Sequence, residues 1–220
     1  MKHTVKWFSL LAVMAGFSSI ATAEGVFVGG SLDAQSSKLK ESDCIGECAS
    51  LSGSRMGLGL KAGYDFGQFR VYGQYQHNFK AKESETMDFY YNGQLTSRDE
   101  GDYSWTTNDL TVGADFTPSF SDNFKGLLGG YLGYSKLKYK YDIKHYDSQG
   151  NYRKTWADSW NANGFQYGVR LGGIYSFNQN NELEFGVKAE QVRYSADDDG
   201  DSFKFKTTNY GGFVGYNYKF

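Results

Sequence analysis

Every second residue from position 56 to 66 is apolar (Met56, Leu58, Leu60, Ala62, Tyr64 and Phe66), while Arg55, Lys61 and Asp65 stand among glycines in the places between. Side chains of a β-strand point to alternate faces, so this segment is a ribbon with one greasy side and one polar, glycine-rich side. A lone ribbon of this kind is not stable in water, and the chain repeats it. The same two-residue period recurs at 25–35, 69–80, 103–117, 124–143, 165–177 and 183–190, and again in the terminal stretch where Val214, Tyr216, Tyr218 and Phe220 alternate with Gly215, Asn217 and Lys219. Within 124–143 two phases compete, one through Leu127, Tyr131, Leu137, Tyr139 and Tyr141 and the other through Leu128, Leu132 and Tyr134.

The connections between these eight segments fall into two classes. Positions 66–69, 118–123 and 178–181 are short, whereas 36–54, 81–102, 144–161 and 196–207 are long, polar and flecked with aromatics. Short and long alternate strictly, as expected when one set makes periplasmic turns and the other extracellular loops. Lys2, His3 and Lys6 precede an apolar stretch from Trp7 to Phe17, and Ala21 and Ala23 lie just before Glu24. That arrangement predicts a secretory signal peptide over 1–23, with an apolar core too short to span a bilayer, and a β-barrel domain over 24–220. The mean hydropathy is −0.58 and no spanning helix can be read. Backbone groups in lipid must all be paired within the protein, so strands cross a membrane only as a closed barrel, whose alternating pattern averaged hydropathy conceals. The expectation is therefore an all-β fold, an eight-stranded antiparallel up-and-down transmembrane β-barrel with both termini in the periplasm.

The terminal strand ends in Asn217-Tyr218-Lys219-Phe220. A strand that is apolar on one face and closes on a carboxyl-terminal Phe resembles the last strand of Gram-negative outer-membrane β-barrels. Together with the signal peptide, the strand alternation and the loop asymmetry, the chain is similar over nearly its whole mature length to the small eight-stranded barrels of the outer-membrane protein β-barrel, or porin-like, family. The resemblance implies that Tyr216, Tyr218 and Phe220 are read by the barrel assembly machinery and that outer-membrane lipid and lipopolysaccharide surround the domain. It carries over no catalytic residue.

An eight-stranded barrel is just wide enough for side chains to fill it. The polar rows place Lys61, Arg70, Arg170, Lys188 and Lys219 inside, against Asp33, Asp65, Asp109, Asp115, Glu184 and Glu190. Near-equal numbers of opposite sign predict a packed, salt-bridged plug, whereas a selective channel would show one dominant sign. A narrow or gated small-solute pore is the alternative. Tyr64, Trp105, Tyr139, Tyr175 and Tyr216 are candidates for the interfacial aromatic girdles.

Loss of Lys2 and Lys6 with the leader leaves 21 of the 23 basic residues against 25 acidic, a net charge of −4 that gives no reason to expect nucleic acid as a partner. Cys44 and Cys48 lie four apart in an exported chain, which favours a local disulfide over a metal site. Asp197, Asp198, Asp199 and Asp201 around Gly200 carry a fragment of a calcium-loop pattern without its distal Glu, and read better as a solvated turn. No cofactor and no metal site are expected. His145 has Asp147 and Ser148 close by, the thin beginning of the constellation a lipid-modifying enzyme would need, but proximity in a loop is not a catalytic geometry. The reading is non-enzymatic. Phe89, Tyr90, Tyr91 and the stretch from Trp156 to Trp160 are the candidate contacts for a host or cell-surface ligand, since exposed aromatics supply rigid contact area at low entropic cost.

Overall fold

Antiparallel pairing runs from strand to strand around a closed ring. In the computed structural model, which describes residues 25–41, 50–198 and 201–220, the strands are β1 (Gly25–Glu41), β2 (Ser50–Asp65), β3 (Phe69–Tyr91), β4 (Gln94–Phe116), β5 (Ser119–Ser121), β6 (Phe124–Asp147), β7 (Tyr152–Ser176), β8 (Asn181–Asp198) and β9 (Asp201–Lys219). Neighbours in sequence pair, β1 pairs with β9, and β4 pairs with β6, so eight long strands close into a barrel and the three-residue β5 only decorates the turn into β6. Closure leaves no strand edge exposed at the level of the apolar belt. The expected leader at 1–23 and Cys44 and Cys48 lie outside the described residues, as do Asp199 and Gly200 of the acidic run.

The outer face of the ring is a belt of exposed apolar side chains. It includes Met56, Leu58 and Leu60 on β2, Leu110 and Val112 on β4, Leu128 and Leu132 on β6, Val169 and Leu171 on β7, and Val214 on β9. On β3 it runs from Phe69 to Phe79, about 25 Å of height at the tilt usual for such strands. Such a continuous apolar surface would be untenable in water and matches a hydrocarbon slab. The competing phases in β6 resolve with Leu128, Leu132 and Tyr134 outward and Leu127, Leu137 and Tyr139 inward.

Several inward positions must be glycine because strands pass so close that a Cβ would strike a neighbouring backbone. At Gly172 it would fall 2.0 Å from the carbonyl oxygen of Phe185, and at Gly211 2.0 Å from that of Ala34. With no Cβ at either position, β7 lies against β8 and β9 against β1 without that clash.

Four of the connections expected as long loops are largely strand. Residues 81–102 hold only a two-residue turn, Asn92-Gly93, both with positive φ (49° and 78°), and residues 144–161 hold only the turn at 148–151. An Asn-Gly pair supplies the two left-handed residues that a tight hairpin turn needs. The β4–β6 ladder continues unbroken from Phe116↔Leu128 to Ser97↔Asp147. A four-stranded sheet, β3–β4–β6–β7, therefore rises above the belt by about 12 residues, on the order of 40 Å along the strand. The connections at 36–54 and 196–207 are also shortened, by β1 and β2 and by the pairing of Asp198 with Asp201.

Candidate functional site

The lumen is filled by ionised side chains arranged in tiers. Among the described residues six cations, Arg55, Lys61, Arg70, Arg170, Lys188 and Lys219, and seven carboxylates, Asp33, Asp65, Asp109, Asp115, Glu182, Glu184 and Glu190, are buried there. They point inward because all occupy the polar phase of their strands.

At the short-turn end, the Arg70 guanidinium donates to Asp65 and Glu182, each at 2.7 Å, and Lys219 reaches the same two carboxylates at 3.1 and 3.6 Å. Above it, Glu184 accepts from Lys61 at 2.5 Å and from Arg170 at 2.9 Å, while Arg170 also clamps both oxygens of Asp115 and stacks over the Tyr72 ring. Higher still, Glu190 receives Arg55 at 3.2 Å, the Tyr131 hydroxyl at 2.8 Å and the amides of Gln166 and Asn209 at 3.0 Å each. Lys188 bridges Asp33 and the Gln76 side chain at 3.0 Å each. Asp109 is held by neutral donors, Asn78 at 2.6 Å and the Ser135 hydroxyl at 2.5 Å. A buried charge is tolerated when its Coulombic partner and its remaining hydrogen bonds are both supplied, and nearly every group here has more than one partner.

Between these groups a cavity bordered by Ser31, Asp33, Gln76 and Lys188 has a volume of about 20 Å³, room for about one water. An apolar cap lies over the charged tiers. Trp105, 1% exposed, packs with Leu39, Ala81, Leu137, Tyr139, Ala162, Val192, Tyr194 and Phe205, and its indole N–H donates to the Ser37 hydroxyl at 3.1 Å. Trp105 and Tyr139 are thus corrected from girdle candidates to lumen residues, because odd positions on β4 and β6 face inward. Tyr175 and Tyr216 do lie on the outer face, and Tyr64 is half-buried.

Above the cap the inner face of the rising sheet carries Tyr103, Tyr141 and Trp160, with Trp160 4.9 Å from both the Tyr139 and the Phe205 rings. Burial raises the Tyr103 phenol above its ordinary range. His145 Nδ1 meets Asp99 at 2.6 Å and the ring edge-faces Trp156 at 5.8 Å. Its carboxylate partner is thus Asp99 across the β4–β6 ladder, not Asp147, which lies beside it in sequence. Asp147 instead organises the β6–β7 turn, accepting the backbone N–H groups of Gln149 (2.9 Å) and Asn151 (2.8 Å) and the Arg153 guanidinium (2.5 Å). Those donors, the Asn151 backbone first, hold its carboxyl at about 2, below the ordinary 3.8. A depressed pKa means the turn gains from ionisation above about pH 4 and loses that gain as pH falls through 2. Acid titration followed by amide chemical shifts of Gln149 and Asn151 is expected to give a midpoint near 2. A midpoint near 3.8 would show that the turn contacts do not hold in solution. On the outer face Arg98 binds Asp88 in the same way, lowering the Asp88 carboxyl.

Phe89, Tyr90 and Tyr91 stand exposed at the β3–β4 tip, and Tyr152 and Trp156 towards the β6–β7 tip; Trp160, by contrast, is packed against the cap. Tyr216, Tyr218 and Phe220 project outward from β9, with the Tyr218 and Phe220 rings 5.1 Å apart. Arg55 and Glu182 were missing from the expected interior set, although each shares its strand's inward phase with an expected member, Lys61 and Glu184. The acidic run pairs through Asp198 and Asp201, and its side chains lie outside the described residues.

No protein-family model and no curated protein matches the chain. Among solved structures, the outer membrane protease OmpT from Escherichia coli aligns with a TM-score of 0.53 at 14% identity, over 91% of this chain and 98% of that one. The fold is that of an outer-membrane β-barrel. Ail, the attachment invasion locus protein of Yersinia pestis, solved in complex with the heparin analogue sucrose octasulfate, aligns over 89% of this chain and 99% of its own with a TM-score of 0.43 at 18% identity. OprG from Pseudomonas aeruginosa covers 89% and 96% with a TM-score of 0.44 at 14% identity.

Proposed function

We propose that this outer-membrane protein is a non-enzymatic barrel whose task is to hold the β3–β4–β6–β7 sheet outside the cell as an adhesin-like contact surface. The observation that carries the reading is that two hairpins, joined by the continuous β4–β6 ladder, project well beyond the apolar belt and end in Phe89, Tyr90, Tyr91, Tyr152 and Trp156. Exposed aromatics on a rigid frame lose little entropy on contact, which suits recognition of a host or cell-surface ligand. Short turns and both described termini lie at the opposite end, which we place in the periplasm.

The remaining parts serve that platform. The ion-paired interior and the Trp105 cap act as a plug that leaves no route for solutes. His145 engages Asp99 and, among the described residues, no hydroxyl group, so a nucleophile–base pair is lacking there. Residues 1–23 act as the export signal, Tyr216, Tyr218 and Phe220 as the mark read by the assembly machinery, and Cys44 and Cys48 as a local bridge in the β1–β2 connection.

The test shortens both hairpins, replacing residues 88–98 and 144–155 each by Asn-Gly. Bacteria producing this variant are expected to adhere to a cultured epithelial monolayer no better than cells without the protein, while the barrel still shows its heat-dependent shift in gel mobility. Undiminished adherence by the folded variant would remove the contact role. Single-channel conductance by the full-length protein in a planar bilayer would reinstate the pore.

A further inference from the structure

Charge on the inner wall of the protein is matched below the Trp105 cap and unmatched above it. The register is unbroken from Ala81↔Trp105 to Glu85↔Gly101 and from Trp105↔Tyr139 to Gly101↔Ile143, so alternate residues beyond the cap keep the inward phase of Trp105 and Tyr139. One row across the inner face of the rising sheet is therefore Glu83, Tyr103, Tyr141 and Asp158, each opposite the next on β3, β4, β6 and β7. The two carboxylates end the row about 14 Å apart, three strand spacings, with both tyrosines between them. Glu85 stands in the next row out, about 7 Å farther along β3. It faces Gly101, and a Cβ there would lie 2.8 Å from the Tyr103 hydroxyl oxygen, so the Tyr103 ring leans over Gly101 to the level of Glu85.

The row has an aromatic floor. Tyr103 stacks on Tyr139 at 6.5 Å, Tyr141 meets Tyr139 at 6.4 Å, and Trp160 closes on the same ring at 4.9 Å. Glu83 accepts the Ser52 backbone N–H and Asp158 that of Ser159, yet among the described residues no cation lies within ion-pair distance of Glu83, Glu85 or Asp158. Below the cap, carboxylates such as Glu182 and Glu184 are each held by lysine or arginine. The field of Glu85 adds to burial in raising the Tyr103 phenol, so the floor lies in negative potential. The same face already carries one contact between a cation and a ring: Lys154, two rows farther out, places its ammonium 4.8 Å from the centre of the Trp156 ring.

We propose that this inner face binds an extended basic segment of a partner polypeptide, one with lysine or arginine at alternate residues. An extended chain repeats its side-chain direction about every 7 Å, the spacing of Glu83 and Glu85, so a segment lying along β3 brings successive cations to both carboxylates. Each cation there meets a carboxylate and an aromatic surface together, and Asp158 supplies a third anchor on the far side of the tyrosines. Carboxylates separated by about 7 and 14 Å suit a polymer with regular charges better than a single small cation. The inference rests on the reading of the sheet as a contact surface and names the chemistry of what it contacts.

The test measures binding of a labelled decapeptide of alternating lysine and serine to the refolded protein in a neutral detergent, with glutamate in place of lysine in the control peptide. The lysine peptide is expected to bind and the glutamate peptide is not. Glu83→Gln/Glu85→Gln/Asp158→Asn should weaken binding about tenfold or more, the combined effect of three partly exposed ion pairs. Tyr103→Leu/Tyr141→Leu keeps every carboxylate and should weaken it severalfold. Glu100→Gln/Asp102→Asn, on the exposed outer face of β4, should leave it unchanged. Retained heat-dependent mobility shows that each variant is folded. Unchanged affinity in the folded triple variant, or an equal loss from the outer pair, would overturn the proposal. So would equal competition by spermidine at the same concentration of positive charge, which would assign a small-cation site instead. The variant with both hairpins shortened keeps Glu83, Glu85, Tyr103, Tyr141 and Asp158 and should still bind the peptide. A barrel that adheres through its hairpins yet ignores the lysine peptide would overturn this inference and leave the contact role standing.

Discussion

Glu184→Gln is expected to lower the stability of the folded barrel by about 3–5 kcal/mol, the cost of removing one member of a buried ion pair. Glu184 is the shared acceptor of the middle tier, bonded to Lys61 and Arg170 and to the Asn217 amide at 3.3 Å. A glutamine keeps the shape and part of the hydrogen bonding but withdraws the charge. Arg170 retains Asp115, whereas Lys61 loses its ion-pair partner in a lumen closed to solvent. The effect should appear as a fall in the urea midpoint for unfolding from lipid vesicles. A second substitution separates charge from packing. Lys61→Met in the Glu184→Gln background removes the stranded cation and should recover part of the loss, because a matched apolar replacement of a buried pair is often close to neutral. An unchanged midpoint for Glu184→Gln would mean that the tier is well hydrated and that the interior is not the packed, ion-paired plug described above.

The features legible in the sequence and those that were hidden follow from one physical difference. Within the belt, lipid outside and packed charge inside impose opposite chemistry on the two faces, so the two-residue period is strong and places residues such as Lys61, Asp65, Arg70 and Glu190 on the inward side by parity alone. Above the belt, water bathes the outer face and the sheet rises beyond the closed barrel. Stretches such as Lys82-Glu83-Ser84-Glu85 and Glu100-Gly101-Asp102 then carry no apolar row, and they read as loop although the backbone ladder runs through them. Backbone pairing does not depend on the side chains that reveal it. The inward phase of β6 was ambiguous for a related reason: Leu127, Leu137 and Tyr139 face apolar clusters within the lumen, so both faces of that strand are greasy. The aromatic cap was hidden entirely. Trp105 resembles a membrane-interface residue in composition, and only the β4 register shows that it points inward.

That cap gives the second large expected effect. Trp105→Ala should cost about 3–5 kcal/mol, the range for deleting a large buried aromatic, because the ring lies among Leu137, Tyr139, Tyr194 and Phe205. Trp105→Phe separates packing from the hydrogen bond to Ser37, and should cost less, with about 1 kcal/mol of it due to that bond. The two variants also test how the lumen is closed. Beneath Trp105, Tyr194 shares a 2.9 Å hydrogen bond with Ser135, and Ser135 leads to Asp109 at the top of the ionic tiers. If the cap and the ionic tiers are seals in series, Trp105→Ala weakens the barrel yet leaves it electrically silent in a planar bilayer. Steady conductance from that variant would show that the ionic tiers pass ions once the cap is gone, and would make the cap a gate. A silent Trp105→Ala that becomes conducting only with Glu184→Gln added would establish that each layer is sufficient to close the barrel, which is the arrangement expected of a platform whose work is done by the sheet above it.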